Sequence, residues 1–262
     1  MKKKKRLRGG KLLLTALVVL LVAINYNFLD KMLVDLYEDY EIGVVERVID
    51  GDTIVINGTS IRLLGINTPE KGELYYNEAK EFLENKTLGI LIKMERGKTD
   101  LDLYNRKLRY VYVEGENVNL KLVENGLANY YFPSGKDVHY EEFKNAWQNC
   151  ILQEKNLCEP SEEICASCIE LEDADFDKQA VELINNCNFY CDLTNWSIKD
   201  EGRKKLVFPE FILRSSVRIK VGNGSNSQDT LFWEGEEYVW TETGDTLFLR
   251  DKAGRLVLWQ NY

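Results

Sequence analysis

Histidine is nearly missing: one residue, His139, in a chain of 262. A two-histidine metal site is therefore excluded. A Ser-His or Cys-His mechanism would have to use that single ring. His139 stands among aromatic and acidic residues at the start of a helical pattern, a setting for a structural or solvated imidazole. An excess of positive charge is also missing. The formal net charge is −9, the wrong sign for a protein that clings to nucleic acid without selectivity. Residues 1–11 hold seven Lys/Arg and no acid, whereas 42–158 hold fifteen basic against eighteen acidic residues and 159–262 eleven against twenty. Any contact with a polyanion must then be local, made by placed arginines, and sensitive to salt. A small-residue cleavage site after the N-terminal apolar run is a third absence, since Ala23-Ile24-Asn25 does not provide one.

What is present is concentrated in one stretch. Val48-Ile49-Asp50-Gly51-Asp52-Thr53-Ile54-Val55-Ile56 leads through Asn57-Gly58 into Ile61-Arg62-Leu63-Leu64-Gly65-Ile66-Asn67-Thr68-Pro69-Glu70. Asn-Gly between alternating apolar runs predicts a tight hairpin. The hairpin carries Asp50, Asp52, Arg62, Asn67 and Glu70 within about twenty residues. Oxygen donors of this kind suit Ca²⁺. A guanidinium beside them matches a phosphate.

The basic run Lys2–Lys11 followed by the apolar run Leu12–Ile24 predicts an export signal. With no cleavage site, residues 1–29 are expected to remain as an anchor at the lower length limit for crossing a bilayer. The basic flank then stays in the cytoplasm and the rest lies outside, with secretion after cleavage as the alternative. Residues 30–41 form an acidic stalk. The six cysteines all follow residue 149, and outside the cytoplasm an even number favours disulfides. Cys165, Cys168, Cys187 and Cys191 are the candidates, with Cys168 near Cys187. Zinc held by these four is the alternative. Cys150 sits on the apolar face of a helix and reads as core.

Strand patterns fall at 42–49, 53–57, 60–66, 89–96 and 106–113, and helical patterns at 73–86, 118–125 and 139–156. Five short strands and three helices over 42–158 outline an α+β domain built on a small OB-type barrel. Residues 159–164 read as a polar linker. From 165 to 262 the pattern is all-β, with short strands separated by turn signals, as in a sandwich.

The first domain resembles the staphylococcal nuclease family. The matching stretches are Val48-Ile49-Asp50-Gly51-Asp52-Thr53, Arg62-Leu63-Leu64-Gly65-Ile66-Asn67-Thr68-Pro69-Glu70, Asp102-Leu103-Tyr104-Asn105-Arg106-Lys107-Leu108, and Val118-Asn119 with Gly126-Leu127-Ala128. The resemblance implies a Ca²⁺ site at Asp52, Asn67 and the Thr68 carbonyl, with Asp50 at its rim. It implies catalytic roles for Arg62 and Arg106 on the phosphate and for Glu70 on the attacking water. It implies substrate contact by Tyr104, and Tyr131 is the candidate ring to stack on a base. Asn67 departs from the family's Asp and removes one formal charge from the metal site. The second region is similar to the lamin-tail domain, an immunoglobulin-like fold, through Val181–Asp200, Trp233, Trp240, Gly244–Leu249 and Gly254–Trp259. That likeness implies binding or positioning of an unknown ligand rather than chemistry.

The expectation is a monomeric, membrane-anchored, Ca²⁺-dependent endonuclease acting on DNA and/or RNA outside the cytoplasm. The rival expectation is a catalytically weak nucleic-acid-binding or envelope interaction protein on the same barrel.

Overall fold

The computed structural model describes residues 40–241 and 245–261. The expected anchor over 1–29 and all but the end of the stalk over 30–41 lie outside the described residues. Among the described residues no helix is long and apolar enough to cross a membrane.

The first domain runs β1 (Tyr40–Val44), β2 (Arg47–Asp50), β3 (Thr53–Ile56), β4 (Thr59–Leu63), β5 (Ile66–Asn67), α1 (Tyr76–Thr87), β6 (Leu91–Leu101), β7 (Lys107–Val113), β8 (Glu116–Asn117), α2 (Val118–Glu124), β9 (Asn129–Tyr130) and α3 (Tyr140–Leu152). β3 is buried at all four positions, three of them the apolar Ile54, Val55 and Ile56. It turns into β4 through Asn57 and Gly58, both left-handed at φ 49° and 71°, the pair of angles a two-residue hairpin loop of type I′ requires. The main sheet has the order β1-β6-β7-β4-β3-β2, with β8 beside β7. Its two end strands are joined by only Val45 and Glu46. The chain therefore ties the ends of the sheet together and wraps it around its core. α2 begins at Asn117, whose side chain accepts the Leu120 N–H at 3.1 Å, and Gly126 follows it with φ 62°. Phe143, Trp147 and Cys150 on α3 are fully buried.

Several boundaries differ from expectation. The stretch 60–66 is broken: β4 ends at Leu63, Gly65 takes φ 74°, and β5 pairs instead with β9. The helix expected over 139–156 stops at Leu152, and Asn156–Cys158 is a 3-10 turn. Tyr40 and Glu41, assigned to the stalk, belong to β1, where Glu41 holds Arg109 and Lys107.

After a 3-10 turn at Ile164–Ser167 the second domain is all-β: β10 (Ile169–Asp175), β11 (Ala180–Asn185), β12 (Cys191–Asp192), β13 (Ser197–Lys199), β14 (Lys205–Val207), β15 (Ile212–Leu213), β16 (Ser216–Val221), β17 (Thr230–Trp233), β18 (Thr246–Arg250) and β19 (Leu256–Asn261). Two four-stranded sheets, β10-β11-β16-β17 and β14-β13-β18-β19, share one core that includes Trp196, Trp233 and Trp240. No strand forms at 238–240; there the Val239 and Trp240 amides donate to Gln179 Oε1 at 2.6 and 3.1 Å.

The cysteines pair as Cys150–Cys158, Cys165–Cys191 and Cys168–Cys187, with Cα separations of 5.8, 5.7 and 5.4 Å. Cys150, read as a core thiol, is thus half of a bond while still buried. The alternative of a four-cysteine zinc site loses its ligands, because a disulfide sulfur is not a thiolate.

The two domains pack intimately. Phe248 and Leu256 of the second enter the core of the first, with the Phe248 ring edge-on to Trp147 at 5.5 Å. The expected linker is no free tether, since Leu256 exchanges backbone hydrogen bonds with Glu159 and Ser161 at 2.9 and 2.8 Å. Burial lowers the Arg250 pKa to about 10, and its guanidinium donates to the Leu157 and Gly254 carbonyls at 2.8 and 3.0 Å. An acid cluster lies at the same interface. Burial, then the charge of Asp245, pushes Asp200 up to about 7 and Glu201 up to about 8, and burial raises Asp245 itself.

These acids set a pH dependence of known sign. A carboxyl whose pKa is raised by folding keeps its proton in the folded chain and loses it in the unfolded one. Stability from this source is full near pH 4 and is lost as pH rises through about 7–8. Glu73 and Asp102 are lowered, against the effect of burial, by Lys199 and by the Arg106 N–H respectively, so their contribution fails only on stronger acidification. The Tm should therefore fall between pH 5.5 and 8.5 by several degrees, at roughly 2–4 °C per kcal/mol for a chain of this size. Glu201→Gln should flatten that slope in a thermal-melt series.

Candidate active site

Three turns and one strand build the site. The β2–β3 turn carries Asp50 and Asp52, β4 carries Arg62, the segment after β4 carries Asn67, Thr68 and Glu70, and the β6–β7 loop carries Tyr104 and Arg106. Glycine is required at position 51. A Cβ there would stand 2.9 Å from Thr68 Oγ1 and 2.8 Å from Ala79 Cβ, so its absence lets the Asp50–Asp52 turn lie on Thr68 and α1. β4 and β7 pair in parallel with Ile61 opposite Lys107 and Arg62 opposite Leu108. That register sets Arg106, at the mouth of β7, close to Arg62.

Arg62 is the centre. It is only 7% exposed. Its Nη1 meets the Asp52 carboxylate, and its Nη2 donates to Asn67 Oδ1 at 3.3 Å and to the Ile66 carbonyl at 3.2 Å. The other Asp52 oxygen accepts the Thr53 hydroxyl at 2.9 Å, and that hydroxyl accepts from Arg106 Nη1 at 3.4 Å. Thr53 thereby couples the two arginines. Asp102 holds Arg106 from the far side: Oδ2 takes Nε at 2.7 Å, and Oδ1 takes the backbone N–H of Tyr104 and Arg106 at 2.9 Å each. The buried Asn67 is oriented by its partners, since Nδ2 donates to the Gly202 carbonyl at 2.7 Å and Oδ1 is left to face Arg62.

Asp50 accepts the Asp52 N–H at 3.2 Å. Its pKa is raised, first by burial and then by the neighbouring Asp52 charge. Asp50 and Asp52, two carboxylates crowded at one turn, form an oxygen-only donor pair, and a hard cation would relieve their repulsion. Thr68 is buried under the same turn.

Not every expected residue joins this network. Glu70 is exposed and pairs with Arg203 of the second domain, Oε1 to Nε at 3.0 Å. Its amide donates to Glu73 Oε2 at 2.9 Å. Tyr104 is 74% exposed, its ring centroid 5.5 Å from the Arg106 guanidinium. Tyr131 is half-buried, its phenol pKa raised by burial, with its N–H donated to Gly65 at 2.9 Å. Both tyrosines line one groove of about 670 Å³ with Arg62 and Arg106, and Arg203 and Lys204 line it too. Asp102 and Thr53 stand in the matched stretches without a role implied by the resemblance. Asp102 had a signal: an aspartate two residues before Tyr104 and four before Arg106 is placed to cap its own turn.

Removing that brace should matter for activity more than for folding. Asp102→Ala frees Arg106 to move by an ångström or more. The expected loss is roughly 10–10²-fold in kcat, with a Tm close to wild type, read by steady-state kinetics and a thermal melt. An unchanged kcat would remove Asp102 from the site.

The model of the family described as staphylococcal nuclease homologue matches residues 60–158. The thermonuclease of Staphylococcus hyicus is 32% identical over 125 residues, covering 43% of this chain and 73% of that protein. That of Staphylococcus intermedius is 32% identical over 126 residues, 44% and 75%. Endonuclease YhcR of Bacillus subtilis (strain 168) is 36% identical over 128 residues, 41% of this chain but 10% of that protein. Each alignment covers less than half of the chain, and the residues of the family match extend from the start of β4 to the Cys150–Cys158 bond. On this likeness the chain belongs to the staphylococcal nuclease family.

Proposed function

We propose that the chain, a nuclease and so a hydrolase by its family, is a Ca²⁺-dependent endonuclease that cuts phosphodiester bonds of DNA and/or RNA outside the cytoplasm. The observation that carries this reading is the contact chain from Asn67 through Arg62, Asp52 and Thr53 to Arg106. It presents two guanidinium groups on one groove wall. A phosphodiester is anionic, and attack on it adds charge to its non-bridging oxygens. Two preorganised forks stabilise that charge where it develops. Glu70, next to the groove, accepts a proton from the attacking water once Arg203 releases it. The Asp52 and Asp50 carboxylates with the Asn67 and Thr68 carbonyls would hold Ca²⁺, which when bound neutralises phosphate charge. Asn67 supplies oxygen without charge, so the affinity should be weaker than with two aspartates.

The bent β1–β2 segment with β3, β4, β6 and β7 supplies the five strands of an OB-type barrel. Two sheets around one core support an immunoglobulin-like, lamin-tail reading of the second domain. Three disulfides favour an oxidising compartment, and with it anchorage by residues 1–29 or secretion. One observation favours the rival binding-only reading: the charge missing at Asn67.

Cleavage of single-stranded DNA by the purified protein, with Ca²⁺ and then with EDTA, separates the two. Cleavage that needs Ca²⁺ is expected. Arg62→Lys and Arg106→Ala should each lower kcat by roughly 10²–10³, and Glu70→Gln should lose turnover while keeping affinity. Gel shifts without products at any Ca²⁺ concentration would leave the binding reading standing.

A further inference from the structure

The loop from Asp200 to Lys204 of the second domain reaches the nuclease site. Gly202 is buried there, its carbonyl clasped by Asn67. A Cβ at Gly202 would come within 3.1 Å of Asp200 Oδ2 and 3.3 Å of the Tyr131 ring, so this loop is fitted closely against the groove. The next residue, Arg203, projects beside the groove with 47% of its side chain exposed and pairs with Glu70. Lys204, though it also lines the groove, is engaged elsewhere: its ammonium donates to the Tyr238 carbonyl and faces Glu236 at 3.7 Å. Arg203 is therefore the cation the second domain can offer to a ligand.

We propose that Arg203 is a substrate-binding residue of the nuclease, which takes a backbone phosphate of a single-stranded nucleic acid next to the scissile one and releases Glu70 as it does so. This rests on the nuclease reading above and adds the second domain to the active site. Three observations support it. Arg203 shares one groove with Arg62, Arg106 and Tyr104, the phosphate and ring contacts of the barrel side. The pair it makes with Glu70 is exposed on both sides, at 47% and 53%, and exposed pairs are weak enough to be exchanged for a phosphate, which a guanidinium binds through two hydrogen bonds. The chain as a whole is acidic at −9, so affinity for a polyanion depends on the few cations set at the groove. The contrary reading, that Arg203 locks the site by holding Glu70, asks this exposed pair to resist an incoming phosphodiester, which its weakness argues against.

The test uses the full chain and a fluorescein-labelled oligothymidylate. Anisotropy in EDTA reads binding without turnover, over a series of salt concentrations. Kinetics with Ca²⁺ read kcat and KM. Arg203→Ala should weaken binding roughly tenfold and lower the log–log salt slope by about 0.7. It should raise KM more than it lowers kcat, and Arg203→Lys should recover most of the loss. Glu70→Gln, which releases Arg203, should bind at least as tightly as wild type while cutting nothing. Unchanged affinity and slope in Arg203→Ala would overturn the proposal, and so would a rise in kcat/KM, which would make the pair a lock. A wild-type chain that binds but never cuts would end the nuclease reading, while the anisotropy would still decide the role of Arg203. A wild-type chain that neither binds in EDTA nor cuts in Ca²⁺ ends both.

Discussion

Arg62 is a charge taken out of water, and the arrangement around it follows from that. A buried guanidinium is tolerated only if its hydrogens are met by acceptors, and removing a partner from a buried pair costs about 3–5 kcal/mol. Asp52 faces it as an ion pair, and the Ile66 carbonyl and Asn67 Oδ1 accept from its Nη2. Each comes from a different bend of the chain, so one side chain pins the β2–β3 turn, the end of β4 and β5 in place. The parallel register of β4 and β7 then brings Arg106 within reach of Thr53, and Asp102 braces it. The precision of the site is thus a consequence of where the charge is buried and of how the strands are registered.

Much of this is legible along the chain. The Asn57-Gly58 hairpin, the apolar run Ile54-Val55-Ile56 of β3 and the Gly126 stop are local signals, and each element forms where its signal lies. The site residues on the hairpin are local as well. What could not be read depends on distant partners. Apolar alternation continues across Leu64 and Gly65, and only pairing with β9 reveals that the strand breaks there. Helical spacing places Cys150 on the core face, but spacing cannot tell a thiol from half of a disulfide. Nothing near Glu70 in sequence announces Arg203, because the two meet only when the domains dock.

The docking also gives a physical reason for Asn67. Its amide nitrogen hands a hydrogen to the Gly202 carbonyl. An aspartate there would set a carboxylate oxygen against that carbonyl, two acceptors with no proton between them. The amide at Asn67 is therefore matched to the second domain: one formal charge is given up at the proposed Ca²⁺ site, and a hydrogen bond across the interface is gained. Asp200, Glu201 and Asp245 around the same contact add to its polarity, and their raised pKa values mark how thoroughly water has been excluded.

The sharing of one core has a further consequence for biogenesis. Trp147 waits for Phe248, and the apolar cluster beneath α3 waits for Leu256 and Trp259. A ribosome delivers the nuclease half long before those residues leave its exit tunnel. The nascent chain must then pass through a stage in which the catalytic half carries an open apolar face. That half completes its core only after translation has passed β19.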